Sequence, residues 1–225
     1  MAITDPRLLL ILDSRSPAGA HNHSGGMEAA IDAGWVSDVA ELAQFCRGRL
    51  YTTGLVAAAF AAASCRGWMA GWQAADWQQS DDELSARMPS AAVRTASRAM
   101  GNGLRRLLAV TVPETDLALP WSGIEPPAPH HSLVLGAACA LTGGSPDLAA
   151  RAAALGTCTA PASAAVRLLG LDPYAVQGLL ADLGPLISQI ADAATNAHEL
   201  PDDSAPALDL LADVHLANEV RLFAS

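Results

Sequence analysis

Alanine is the residue that most limits what this chain can fold into. It is the most frequent of the 225 residues, whereas aromatic residues account for only 4% of the sequence. Alanine has the highest helix propensity of all residues, and its small side chain lets helices pack closely. Apolar and polar residues alternate over only a few positions at a time, so no strand pattern is visible. We therefore predict an all-α fold: a single-domain helical bundle of about eight to ten helices over residues 1–225, with no β-sheet.

The net charge of the chain argues against some classes of binding partner. Thirteen basic residues against 23 acidic residues give a net charge of −10, and 51% of the residues are hydrophobic. An acidic surface repels phosphate groups, which argues against binding to nucleic acid or to an anionic membrane. The chain starts without a basic segment before its first apolar run, and its uncharged stretches, 50–65 and 126–146, are too short or too interrupted to span a membrane. We expect a cytoplasmic protein.

Capping residues and prolines predict where helices begin and end. Asp5-Pro6 should open the first helix, and Ser24 or Gly25 the second. Pro206 should open the last helix, after an acidic segment at 199–206 that we expect to be a mobile linker. The other predicted helices cover 37–50, 51–79 as one helix or two, a new start at Ser80 or Asp81, 91–110, 131–141, 146–156, 160–170 and 173–197.

The stretch Ser16–Ala30, SPAGAHNHSGGMEAA, concentrates Gly, Pro, Ser and His ahead of an apolar helix. A serine nucleophile at Ser24, beside His23, would need a Gly-x-Ser-x-Gly turn after a strand, but Ser24 follows a helix. A helix cap is the simpler interpretation of this hydroxyl. His21 and His23 could begin a nickel or zinc site, but no nearby Cys or paired carboxylate completes it. An exposed or interface histidine pair is therefore favoured.

Glycines and cysteines offer further candidate sites. Gly25 and Gly26 could cradle a phosphate at a helix N-terminus. All thirteen basic residues are arginine, however, so the lysine of a nucleotide-hydrolysing P-loop is missing. Two glycines also permit the close approach of another protein's backbone.

The four cysteines are widely spaced without a Cys-x-x-Cys motif, so we expect neither a zinc site nor a redox pair, and we predict no cofactor.

Tryptophans form the one aromatic stripe of the sequence. Trp68 and Trp72 lie four residues apart, on one face of a predicted helix, and Trp77 is nearby. Such a stripe is more typical of a core or a dimer seam than of a ligand cage.

Four segments, in order along the chain, resemble the UreF family of urease accessory proteins. LLLILDSRSPAGAHNHSGGMEAAIDAGWV is similar to the N-terminal signature of that family, with matches at Asp13, Ser14, Pro17, Gly19, His23, Ser24, Gly26 and Glu28. RTASRAMGNGLRRLL is similar to a second segment, with matches at Arg94, Ser97, Gly101, Leu104 and Leu107. The third and fourth are ASAAVRLLGLDPYAVQGLL and the terminal VRLFAS.

The resemblance implies an all-helical homodimer without an active site of its own. UreF proteins bind UreD, also called UreH, and the GTPase UreG, and the assembly delivers nickel to apo-urease. By this resemblance the chain is a scaffold and a regulator of that GTPase, not an enzyme. The competing hypothesis is a helical hydrolase or metal-binding enzyme that uses His21, His23 and Ser24.

We expect two partner-binding segments, an opening loop and a C-terminal tail. The expected residues are Pro17, Gly19, His23, Ser24, Gly25, Gly26 and Glu28 in the loop, and Arg167, Arg221, Leu222, Phe223 and Ser225 towards the end of the chain. Leu222 and Phe223 should be exposed in the isolated chain and should dock on UreD. We expect the two loop glycines to lie in the first turn of a helix, where Gly26→Ala would be neutral or mildly stabilising, rather than in a left-handed turn.

Overall fold

A computed structural model of the chain describes residues 5–13, 16, 23–114, 121, 124, 128–216 and 222–223. These residues form eleven α-helices and no strand, which confirms the predicted all-α class. The helices are α1 (Pro6–Leu12), α2 (Met27–Asp32), α3 (Val39–Arg49), α4 (Leu55–Ala70), α5 (Ala74–Ala86), α6 (Ala91–Thr111), α7 (His131–Leu141), α8 (Pro146–Leu169), α9 (Pro173–Asp182), α10 (Gly184–Asn196) and α11 (Pro206–Leu216). A π-helical turn, Leu50–Gly54, joins α3 to α4.

Helix α4 lies at the centre of the bundle, with α7, α8 and α10 packed against it. Small residues let these helices approach closely. A Cβ atom on Gly136 of α7 would lie only 2.2 Å from the carbonyl oxygen of Ala61 on α4, so only glycine fits there. The hydroxyl of Ser64 donates a hydrogen bond to the Leu133 carbonyl across the same contact. The alanine-rich composition thus determines the spacing of the core helices.

The tryptophans pack together beside this core. Trp68, Trp72, Trp77 and Trp121 make ring contacts with centroid separations from 5.1 to 6.4 Å. Trp77 and Trp121 are buried. The interpretation of the stripe as core agrees with these contacts.

Local capping signals locate several helix ends correctly. Asp5 caps α1 through the backbone N–H of Arg7, with Pro6 in the first turn. Helix α7 covers the predicted residues 131–141, and α11 begins at Pro206 as predicted. In front of α11, the guanidinium of Arg87 donates to the carbonyls of Leu200 and Pro201. The mobility of the segment at 199–206 stays a prediction.

Other predicted boundaries are wrong. Ser80 and Asp81 lie inside α5, and the predicted helix at 173–197 is divided at Leu183. The two predicted helices at 146–156 and 160–170 form one helix, α8, with Pro161 inside it. Proline has no N–H to donate to the carbonyl four residues before it. The Arg49 side chain of α3 donates to that carbonyl, on Thr157, at 3.3 Å, so a tertiary contact supports the interrupted helix.

Helix α8 also has the length and hydropathy of a membrane span. It is the only described helix that does, and 39% of its most apolar window is buried in the bundle. Its packing against α4, α7 and α10 is that of a core helix. The absence of a membrane partner stays a prediction.

Candidate functional site

The opening loop enters α2 through two glycines in left-handed backbone conformations. Gly25 has a φ of +61° and Gly26 a φ of +85°. The helix begins at Met27, so the predicted start at Ser24 or Gly25 is wrong, as is the expectation that these glycines lie in its first turn. Residues other than glycine are strained at these φ values, so the left-handed alternative is the correct one.

Ser24 stabilises the start of α2, although it lies two residues before the N-cap residue, Gly26. It is fully buried, and its hydroxyl oxygen accepts a hydrogen bond from the backbone N–H of Glu28 at 3.3 Å. Its carbonyl accepts from the N–H of Met27 at 3.2 Å. The predicted capping role of Ser24 is therefore seen in its contacts, although Gly26 occupies the cap position itself.

The carboxylate of Glu28 joins the loop to the C-terminal tail. Its two oxygens accept the backbone N–H groups of Leu222 at 2.9 Å and Phe223 at 3.0 Å. Nε2 of His215, on α11, lies 3.3 Å from the second oxygen. Glu28 and His215 are both buried, so a largely dry junction connects α2, α11 and the tail. Sequence reasoning identified Glu28 but missed His215, because their partnership is visible only in the fold.

The tail side chains point in opposite directions at this junction. The Phe223 ring is only 6% exposed, and the guanidinium carbon of Arg167 on α8 lies 4.8 Å from its centroid. The expectation that Phe223 is exposed in the isolated chain is therefore wrong, because the chain supplies its own pocket and a cation–π contact. Leu222 is 73% exposed, as expected.

The structure thus brings part of the predicted set together. Glu28, Arg167, Leu222 and Phe223 meet at the junction, although they come from the beginning, middle and end of the chain. His23 to Gly26 form the adjoining loop. The predicted residues Pro17, Gly19, Arg221 and Ser225, and the alternative metal ligand His21, lie outside the described residues.

The enzymatic alternative finds little support in the described part of this loop. His23 and Ser24 are both buried, and the Ser24 hydroxyl is engaged with a helix N–H. Burial, together with the neighbouring His23, lowers the pKa of His131 to about 4, so this imidazole is neutral at pH 7. Among the described residues, no group of three or more His, Cys, Asp or Glu side chains is placed to hold a metal ion.

A second buried polar cluster, which sequence reasoning missed, lies between α5, α6 and α7. Asp81 accepts hydrogen bonds from the His130 backbone N–H at 3.0 Å and from the Arg98 guanidinium at 2.6 Å. The His130 ring bonds to Ser85 and Ser97, each at 2.9 Å. Burial, reinforced by the charges of Arg98 and Arg94, lowers the pKa of His130 to about 3, and burial raises the pKa of Asp81.

This cluster gives physical reasons for the residues that match the second family segment. Ser97 binds the His130 ring, and the Arg94 guanidinium donates to the carbonyls of Met88 and Pro89 after α5. A Cβ atom on Gly101 would lie 2.0 Å from the Pro129 carbonyl oxygen. Asp81 was predicted to start a helix, so the one signal that could have indicated this cluster, a charged residue inside α5, was misread.

Helix α11 also carries exposed apolar side chains. Leu210 and Val214 lie four residues apart on α11 and are 69% and 63% exposed. We call these two side chains and Leu222 the α11 ridge. The neighbouring Asp213 accepts the Ser90 hydroxyl at 2.6 Å, which attaches α11 to the start of α6.

Comparison with known proteins identifies the family. The sequence model of the UreF family matches residues 36–184. The urease accessory protein UreF of Mycolicibacterium vanbaalenii is 44% identical over 218 residues, which are 97% of each chain. Those of Mycobacterium marinum and Mycobacterium tuberculosis are 42% identical over the same shares. The relatives are named as accessory proteins, not as enzymes. This chain, with its tail bound to the start of α2, belongs to the UreF family of urease accessory proteins.

Proposed function

We propose that this chain is the scaffold that joins UreD, also called UreH, to the GTPase UreG during nickel delivery to apo-urease, and that it regulates this GTPase. It acts as a homodimer in the cytoplasm and performs no catalysis of its own. Membership of the family supports this role. The observation that carries the proposal is the Glu28 junction, which holds the tail in place and leaves Leu222 at the surface.

The α11 ridge is the surface that we assign to UreD/UreH. Residues four apart share one helix face, so Leu210 and Val214 present a continuous apolar strip. Exposed apolar side chains in a cluster are typical of protein–protein contacts. The junction holds the tail amides beside α11, so a partner meets an ordered surface and less conformational entropy is lost on binding.

The opening loop is the surface that we assign to UreG. Gly26 faces open space, with nothing within 4 Å of the position that a Cβ would occupy. A partner backbone can therefore approach this loop without meeting a side chain. The loop and the ridge adjoin at Glu28, so binding at one surface can influence the other through the tail.

Co-purification with UreD tests the first assignment. Leu210→Glu combined with Val214→Glu should abolish capture by tagged UreD, because both carboxylates would lose water at the interface. Tyr174→Glu, at a highly exposed position on α9, is the matched control and should bind normally. Circular dichroism should show unchanged helicity for all three chains. Full UreD binding by the double variant would contradict the assignment.

The assignment of UreG is tested by co-purification and by a GTPase assay. UreG should join the complex only after UreD is bound, and GTP hydrolysis should be detected only in samples that contain UreG. GTP hydrolysis by this chain alone would contradict the scaffold role.

A further inference from the structure

Two buried thiols meet where α3 packs against α8. Cys46 and Cys158 are 112 positions apart, yet the Cys158 sulfur lies 3.9 Å from the carbonyl oxygen of Cys46. The two thiol groups are close enough for each to shift the pKa of the other. Both are free cysteines. The missing Cys-x-x-Cys motif predicts no redox pair, but the fold assembles a dithiol from distant positions.

A guanidinium lies beside this dithiol. Arg49 follows Cys46 by three positions on α3, and its charge acts on both sulfurs. The hydrogen bond from Cys158, aided by this charge, lowers the pKa of Cys46. The same hydrogen bond and burial raise the pKa of Cys158. The thiolate is the reactive form of cysteine, so Cys46 is the better nucleophile of the two.

The helix that carries Cys158 is weakened at this turn. Pro161 leaves the Thr157 carbonyl without its helical donor, and the bond from Arg49 replaces it at 3.3 Å. A turn that lacks an internal hydrogen bond opens locally at a lower free energy than an intact one. Such opening admits a small oxidant to thiols that are buried in the closed state.

A second pair of buried cysteines provides an internal contrast. Cys65 on α4 adds to the rise in the pKa of Cys139 on α7. Burial raises the pKa of Cys65 to about 11 and that of Cys139 to about 12. These two thiols therefore stay protonated at pH 7 and are poor nucleophiles.

We propose that Cys46 and Cys158 are a peroxide-responsive dithiol that closes to a disulfide between α3 and α8. The Cys46 thiolate attacks one oxygen of a hydroperoxide, the O–O bond breaks, and the leaving oxygen takes a proton to depart as water or an alcohol. Cys46 is then a sulfenic acid. The Cys158 sulfur attacks the Cys46 sulfur, the S–O bond breaks, and water leaves with the Cys158 proton. The two thiols lose two electrons, which the peroxide gains.

The disulfide would form directly beneath the opening loop. A Cβ atom on Gly25 would lie 3.3 Å from the Pro161 ring and 3.6 Å from the Arg49 guanidinium. Oxidation therefore fixes α3 to α8 about one helical turn from Arg49 and Pro161, the two residues on which this loop rests. The chemistry itself does not depend on the proposed scaffold role, because it needs only this chain and a peroxide.

Peptide mapping of the purified full-length chain tests the proposal. The chain is treated with hydrogen peroxide at pH 7, unfolded, alkylated with iodoacetamide and digested without reductant. We expect a peptide pair linked through Cys46 and Cys158, with Cys65 and Cys139 alkylated. Four alkylated cysteines, or a different linked pair, would overturn the proposal. This measurement needs no variant and so does not depend on the folding of one.

Variants then test the order of events. Cys158→Ala should stop at the Cys46 sulfenic acid, which dimedone traps. Arg49→Gln should slow disulfide formation about tenfold, because the Cys46 thiolate loses the positive charge beside it. Arg47→Gln removes the same charge from an exposed position of α3 and is the matched control, with an unchanged rate. Equal rates for the two arginine variants would overturn the role of Arg49.

Discussion

Glu28 and Asp81 are both buried carboxylates that accept backbone N–H groups, but they connect different parts of the molecule. Asp81 binds the N–H of His130 and the guanidinium of Arg98, so its partners belong to α6 and the start of α7. Glu28 binds the N–H groups of Leu222 and Phe223 at the far end of the chain. The chemistry of the acceptor is the same in both places.

The two carboxylates differ in whether their hydrogen-bond partners can reach water when the carboxylate is lost. The partners of Asp81 are held inside the bundle, so they cannot reach water unless three helices separate. We expect the tail at 222–223 to leave Glu28 by a local movement that keeps the helices together, after which its N–H groups bind water. A buried carboxylate therefore stabilises the whole fold in one region and forms a releasable attachment in the other.

The largest effect should follow from Asp81→Asn. This change leaves the Arg98 guanidinium buried without its counter-charge, which costs about 3–5 kcal/mol of stability. Urea denaturation at pH 7 measures it. Asp82→Asn changes the neighbouring exposed carboxylate and should alter the free energy of unfolding by no more than about 0.5 kcal/mol. Equal changes in the free energy of unfolding at the two positions would show that Asp81 contributes no more to stability than an exposed carboxylate.

The second prediction concerns pH and the same interior cluster. The His130 pKa is lowered from 6.5 to about 3, so between these values the unfolded chain binds a proton at this ring that the folded chain does not. Stability therefore falls as the pH drops, by about 1.4 kcal/mol per pH unit from this residue.

A variant isolates the contribution of His130 to this dependence. His130→Gln should flatten the plot of unfolding free energy against pH by that amount between pH 6 and pH 4. His198→Gln, at an exposed position, should leave the slope unchanged. A slope that is the same in wild type and His130→Gln would show that the ring titrates in the folded state.

Local signals in the sequence were sufficient to predict the start of some helices and the fold class. An N-cap and a following proline located the start of α1, since both act within a few residues. Alanine content predicted the all-α class, because propensity summed over many residues is informative. The continuity of α8 through Pro161 was not predictable in this way, because the compensating donor, Arg49, lies 108 positions from Thr157.

The candidate site shows the same limit. Family matches indicated both the loop and the tail, but not that Glu28 binds Phe223, which is 195 positions away. The left-handed φ of Gly25 and Gly26 was one of two alternatives that the sequence left open, and the one expected was wrong. Contacts between distant positions determine these features, and single-sequence patterns do not contain them.

The third prediction tests how the loop enters α2. Gly26→Ala should lower stability by about 1–2 kcal/mol, because alanine is strained at a φ of +85° although the space around it is open. Gly178→Ala is the control, because this glycine lies in α9 with open space and no positive φ. It should raise stability by about 0.5–1 kcal/mol. If both changes stabilise the chain in thermal melts, the left-handed entry to α2 is wrong.

The smallest effect on global stability, and the most local one, should follow from Glu28→Gln. The amide keeps one acceptor oxygen but turns its NH₂ group towards the second tail N–H, so one hydrogen bond to a charged acceptor is lost. Such a bond contributes about 1.5–3 kcal/mol where its partner cannot leave. Because the tail can leave, the free energy of global unfolding should change by less than about 1 kcal/mol, and the loss should appear as local opening.

Hydrogen exchange at the Leu222 and Phe223 amides measures that opening. Protection there should fall about ten- to a hundredfold in Glu28→Gln, while the amides of α4 keep their wild-type rates. Glu41→Gln is the control, because Glu41 also accepts a backbone N–H, from Ser37 at 2.8 Å, but makes that bond at the start of α3. It should leave the tail protected. If Glu28→Gln instead destabilised the bundle as strongly as Asp81→Asn, the tail would be part of the cooperative core, because its release would then require the helices to separate.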